Sequence, residues 1–258
     1  MKIAYDGTAF HGQARQPGLR TVEGEVIHAL VRARAIGDPE TARFQSASRT
    51  DRGVSALGNA VAFDTGLRPD AAVRAFNAKS RGVWAWAAAV VPEGFSARRA
   101  RERWYRYLLP ADHDAEVLDT ALRIFEGEHD FRNFTRDRTR TVARIDLARA
   151  IRGGDRVALD FKAASFRWNL VRRLVAAAQR VETGHASLHD VKAALADSRR
   201  IDMGLAPAEP LILMDVAYDA PIPQIADPTT QGRVHRLLEG RARTAILMEK
   251  IAEKFANP

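Results

Sequence analysis

The order of strand-like and helix-like segments over the first 91 residues constrains this chain more than anything else in it. Residues 1–5 read as a strand with Asp6-Gly7 as its turn. Thr21 can cap a helix over 22–35, with Val22, Val26, Ile27, Leu30 and Val31 as its apolar stripe. Strands near 42–47 and 58–64 follow, then a helix from Pro69 to about Phe76, then a strand near 83–91. This β-α-β-β-α-β order is the ferredoxin-like, or RRM-like, pattern.

The second half repeats the theme less cleanly. The arginine-dense stretch 95–109 reads as the passage between halves, with a strand at 104–109. A helix over 114–126 is followed by what looks like a loop, 127–140. A hairpin of 141–151 and 156–164 turns at Gly153-Gly154-Asp155. An amphipathic helix spans 169–184 and ends at a glycine, and Ser187 with Asp190 opens another. A strand at 211–218 and an amphipathic tail at 233–255 complete the chain. In that tail Leu237, Leu238, Ala245, Met248, Ile251 and Phe255 share a face that could serve a contact between subunits or pack on the protein's own core, the latter being the expectation. The expected fold is therefore α/β (α+β): two mixed-sheet domains, 1–98 and 99–258, sharing one extended sheet. Helices should cover one face, and the other should be free and basic.

Composition limits the chemistry. No run of about 18 apolar residues exists, so no membrane span is expected, and residues 1–7 lack the apolar segment of a signal peptide. With 0 cysteines, disulfides, thiolate catalysis and cysteine-ligated zinc are excluded, and a reducing cytoplasm is the simplest home. The net charge is +8, from six lysines and 34 arginines against 32 acids. Such an excess suits a nucleic-acid partner, because guanidinium groups fork onto phosphates and stack on bases. A GC-rich genome would give the same excess, so position has to decide.

The segment Ser48-Arg49-Thr50-Asp51-Arg52-Gly53-Val54 sets one carboxylate between two arginines. A lone Asp in a turn usually bonds its own backbone. Held ionised by arginine, it could instead attack as a nucleophile or move a proton. Six further blocks appear in order. They are Tyr5-Asp6-Gly7 with Phe10 and Gly12; Phe95-Ser96-Ala97-Arg98; Arg103-Trp104-Tyr105-Arg106-Tyr107; Gly127-Glu128-His129-Asp130-Phe131; Phe166 through Val175; and Ala206-Pro207-Ala208 with Leu211. Together with Arg49-Thr50-Asp51, they resemble the TruA family of tRNA pseudouridine synthases. Ser55 and Gln13 stand where the family has His and Trp, and Trp168-Asn169-Leu170-Val171-Arg172-Arg173 looks like the archaeal members.

The resemblance implies isomerisation of uridine to pseudouridine in the anticodon arm of tRNA, without cofactor or metal, by a homodimer. It implies an active site in the cleft between the domains, with Asp51 as the catalytic carboxylate, Arg172 as its ionic partner and Tyr105 against the uracil, and with Tyr107 on the same strand face as the fallback. Arg49, Arg52 and Arg98 would bind RNA, and Asp6 would border the site or cap its loops. Arg99, Arg101, Arg103, Arg136, Arg138, Arg140 and Arg144 are candidates for tracking phosphates. Two other classes stay open: an RNA-binding protein that has lost catalysis, and a metal-dependent nuclease using Asp6, Asp51 and Asp130. His129 beside Asp130 reads as a helix-end or loop hydrogen bond rather than a ligand.

Overall fold

The computed structural model describes residues 1–196 and 201–256, with side chains as far as Ile251. The first half runs β1 (Lys2–Tyr5), a 3₁₀ turn (Gly7–Ala9), α1 (Val22–Arg32), β2 (Gln45–Ser46), β3 (Ser55–Ala62), α2 (Pro69–Lys79) and β4 (Val83–Ala87). The second runs β5 (Glu102–Pro110), α3 (Ala115–Arg123), β6 (Gly127–Asp130), β7 (Val142–Ile145), β8 (Leu147–Gly153), β9 (Arg156–Ala163), α4 (Leu170–Glu182), α5 (Leu188–Ala196), β10 (Leu211–Ala217) and α6 (Pro228–Ala256). Local chemistry sets the helix starts. The Thr21 hydroxyl accepts from Gly24 N, Asp114 accepts from Glu116 N and Val117 N, and Ser187 and Asp190 exchange reciprocal bonds before α5.

One large sheet runs β4-β1-β3-β10-β5-β9-β8, with β2 also on β3. Each half keeps the ferredoxin-like order: β4-β1-β3-β2 in the first and β10-β5-β9-β8 in the second. The halves join where β10 pairs with β3 in parallel, Ile212 opposite Ser55 and Leu213 opposite Ala56. β2 is cut to two residues and pairs with the far end of β3, at Val61 and Ala62.

Alternation along β5 separates the two faces of the sheet. Arg103, Tyr105, Tyr107 and Leu109 are buried on the helix-covered side, while Glu102, Trp104, Arg106 and Leu108 are half-buried on the other. Under the helices, residues from both halves form one core that includes Ile3, Val26, Leu30 and Phe76 as well as Leu122, Phe125, Leu159, Phe161 and Leu174.

Four expectations are corrected. Residues 127–130 form a strand, not a loop, and β6 pairs with β7. The run 141–151 is two strands that part at Asp146, because β7 pairs with β6 and β8 pairs with β9. The free face is not basic: cross-strand acids match its cations, Asp160 with Arg106, Glu102 with Lys162 and Asp215 with Lys2. The C-terminal helix does not pack on the core; Leu237, Leu238, Met248 and Ile251 are all exposed. The side chain of Phe255, assigned to the same stripe, lies outside the described residues.

Candidate active site

Asp51 opens a tight turn. Val54 N donates to Asp51 O at 3.2 Å, and Gly53 between them has φ +89°, the third-position glycine of a type II turn. A side chain at Gly53 would be strained there, which accounts for the glycine two residues after the acid. The Asp6-Gly7 turn packs directly on this loop. A Cβ on Gly7 would overlap the Val54 carbonyl, and Gly7 N donates to Ser55 Oγ at 3.1 Å. Asp6 itself accepts from Thr8 N (3.0 Å) and pairs with Arg241 of α6 (2.7 Å).

Buried polar groups hold the loop from below. Asn59 donates to Ser48 O (2.9 Å) and to the Tyr5 hydroxyl (3.2 Å), which bonds Thr50 Oγ1 (2.9 Å). Arg103, 7 % exposed, ties this segment to Arg98 and Ala164. Nε donates to Ser48 Oγ (2.9 Å), Nη2 to Ala47 O (3.0 Å) and Arg98 O (2.9 Å), and Nη1 to Ala164 O. It has no carboxylate partner among the described residues. A buried cation is tolerated when carbonyl and hydroxyl oxygens surround it.

The acid receives its partner from the second half. Arg172, in the first turn of α4, donates from Nη1 to Asp51 Oδ2 at 3.0 Å and from Nε to Ala206 O at 2.8 Å. Ala206 N returns a bond to Arg172 O (3.2 Å), so the Ala206-Pro207-Ala208 segment aims the guanidinium. Both charges are partly shielded, which strengthens their attraction relative to a surface pair.

Asp51 and Arg172 line a cavity of about 770 Å³ together with Arg49, Arg52, Tyr105, Phe166 and Trp168. Tyr105 is 7 % exposed and meets Phe166 edge-on, with centroids 5.1 Å apart. Burial raises the Tyr105 hydroxyl well above its usual range, and the charge of Asp51 adds to the effect. Its phenol therefore stays protonated at neutral pH. Burial also pushes Tyr5 and Tyr107 up to about 12.

A family profile described as tRNA pseudouridine synthase matches residues 121–219. A relative named tRNA pseudouridine synthase A from Methanothermobacter thermautotrophicus is 41% identical over 248 residues, covering 93% of this chain and 88% of that protein. The chain belongs to the tRNA pseudouridine synthase A family. Relatives of the same name from Methanococcoides burtonii and Pyrococcus horikoshii are 40% and 42% identical. They cover 88% and 84% of this chain, and 85% and 84% of their own lengths. Among solved structures, a chain of an archaeal Nop10–Cbf5 complex aligns with TM-score 0.35 and 12% identity, over 84% of this chain and 48% of that one, too distant to inform the site. The family makes this protein an isomerase acting on tRNA uridine.

In this synthase the cavity gathers five of the residues singled out from sequence: Asp51, Arg172, Tyr105, Arg49 and Arg52. Three others stand outside its lining. Arg98 is exposed, Tyr107 is fully buried, and Asp6 caps the neighbouring turn. Arg103 is corrected: it is not a phosphate tracker but a buried tie, and its i, i+2 spacing to Tyr105 and Tyr107 already placed it on their face. Arg144, on the outer strand β7, pairs with Asp146 at 2.9 Å. Phe166 and Trp168 belong to a motif read from sequence, but no role was assigned to them. The three acids of the nuclease reading lie apart, each with its own arginine: Asp51 with Arg172, Asp6 with Arg241 and Asp130 with Arg132. His129, in β6, bonds Glu126 O just past the end of α3 at 2.8 Å.

Proposed function

We propose that Asp51 is the catalytic group that converts uridine to pseudouridine in the anticodon arm of tRNA. The observation that carries this reading is the Asp51–Arg172 pair, made between the two halves of the chain within one cavity that Tyr105 also lines. The target base leaves its stack and enters that cavity, at a cost of a few kcal/mol that is smallest in loops and at helix ends. Asp51 attacks the sugar C1′ or the base C6, or takes a proton from C2′. The N1–C1′ bond breaks, the uracil turns, and C5 bonds to C1′. The proton lost from C5 is balanced by one gained at N1, so product and substrate are isomers.

Arg172 keeps the carboxylate ionised and aimed. Tyr105 offers a flat face to the uracil and, being protonated, a hydroxyl that donates. Arg49 and Arg52 meet the backbone around the extruded nucleotide, and Arg98 binds phosphate farther along. Residues 1–98 and 99–258 act as two domains with the site at their seam. Two copies work as a dimer, a reading supported by the exposed apolar stripe of α6. A tRNA substrate and a chain without cysteine suit the cytoplasm.

The test pairs wild type with Asp51→Asn on unmodified tRNA, mapping pseudouridine by carbodiimide and primer extension. Asp51→Asn should keep tRNA affinity within about threefold and lose at least about a thousandfold in product rate. Product at the wild-type rate would remove Asp51 from the mechanism.

A further inference from the structure

Trp168 is 51% exposed at the rim of the catalytic cavity. Its backbone is held on both sides: its carbonyl accepts from Arg136 N and from Thr135 Oγ1 (both 3.1 Å), and its N–H donates to Asp137 Oδ2 (3.2 Å). Asn169 follows in the left-handed region (φ 63°), fixing the entry into α4. The Arg136 guanidinium lies over the indole, 4.6 Å from its centroid. Trp86 and Trp104 spend their indole N–H groups on Leu57 O and Asp160 Oδ1, whereas that of Trp168 has no partner among the described residues. A large aromatic ring thus stands on a backbone fixed from both sides, backed by a cation on one face and half exposed.

The surroundings favour nucleic acid over a protein partner. Arg136 and Arg138 are exposed and form no ion pair among the described residues. The nearby carboxylate of Asp137 is already bonded to the Trp168 backbone. At about 770 Å³ the cavity exceeds what one extruded uracil fills, leaving its rim as a surface that flanking nucleotides can touch. An aromatic ring with an arginine behind it stacks any base, because every base has a π-face.

We propose that Trp168, backed by Arg136, is a stacking platform for a nucleobase adjacent to the target uridine. The platform rests on the placement of the catalytic site in this cavity, but it acts in binding, not in bond breaking. Trp168→Ala should therefore raise KM and Kd and leave kcat at saturating tRNA unchanged.

The probe is an unmodified tRNA transcript whose pseudouridine position under the wild-type protein has been mapped. Matched transcripts each carry one abasic nucleotide within two positions of that site. On the intact transcript Trp168→Ala should bind roughly ten- to a hundredfold more weakly, and Trp168→Phe within a few-fold of wild type. On one of the abasic transcripts wild type and Trp168→Ala should bind equally. Wild-type affinity in Trp168→Ala, or the same loss on every abasic transcript, would overturn the platform. If Asp51→Asn still made product while Trp168→Ala lost affinity in this position-dependent way, the catalytic assignment would fail and the platform would stand.

Discussion

Strand β5 puts arginines on both faces of the sheet, and the two faces treat them differently. On the open face Arg106 donates twice to Asp160 at 2.8 Å, the Trp104 indole donates to the same carboxylate at 2.8 Å, and Lys162 lies 3.2 Å from Glu102. Both cations are matched by an acid on the paired strand. On the covered face Arg103 has carbonyls and a hydroxyl in place of an acid, and Asp51 meets its arginine from another lobe. The open face spends its charges on itself, whereas the covered face spends them on holding one loop.

Substitutions of increasing gentleness can break or sharpen that contrast. Arg103→Met should have the largest effect, because it leaves the Ser48 hydroxyl and several carbonyls buried without a donor. We expect a loss of about 3 kcal/mol or more, read from urea midpoints, and a fall in product rate even where the variant is folded. Arg172→Lys keeps the charge but loses the fork that reaches Asp51 and Ala206 together. Single-turnover rates should drop on the order of a hundredfold, with stability little changed.

Alkaline titration tests the covered face without mutation. Tyr5 loses its proton at about 12 in the fold and near 10 in the unfolded chain. Its contribution is fully present below about pH 10 and fades as pH rises toward the folded value, by about 1.4 kcal/mol per pH unit. Tyr107 shifts in the same direction. Urea midpoints should stay flat to about pH 10 and then fall. The smallest effect belongs to the open face: Lys162→Gln removes a half-exposed pair and should cost less than about 1 kcal/mol, with product rate within about twofold. A larger loss of activity there would mean that the free face also takes part in function.

The motif residues were legible because chemistry fixes their spacing. Asp51 before Gly53 needs the turn that glycine permits, and Tyr105 with Tyr107 follows the strand period. What the sequence concealed was decided by partners distant in the chain. β6 has four residues with no apolar alternation, and it is a strand because His129 and Asp130 lie opposite Ala143 and Val142. β2 pairs with only the far end of β3, while β10 takes the near end at Ser55 and Ala56. Arg103 looked like one more surface arginine in a basic run, and only the fold shows the oxygens gathered round it. The stripe on α6 carries a core-like pattern, yet nothing in a periodicity says which surface will cover it.

The parallel pairing of Ser55 and Ala56 with Ile212 and Leu213 has a mechanical consequence. Backbone hydrogen bonds cross the seam a few residues beyond Asp51, so the sheet has no hinge along that line. Opening the lobes would mean unzipping the sheet. Under the proposed function, an RNA strand would reach the pocket by deforming itself rather than by parting the lobes.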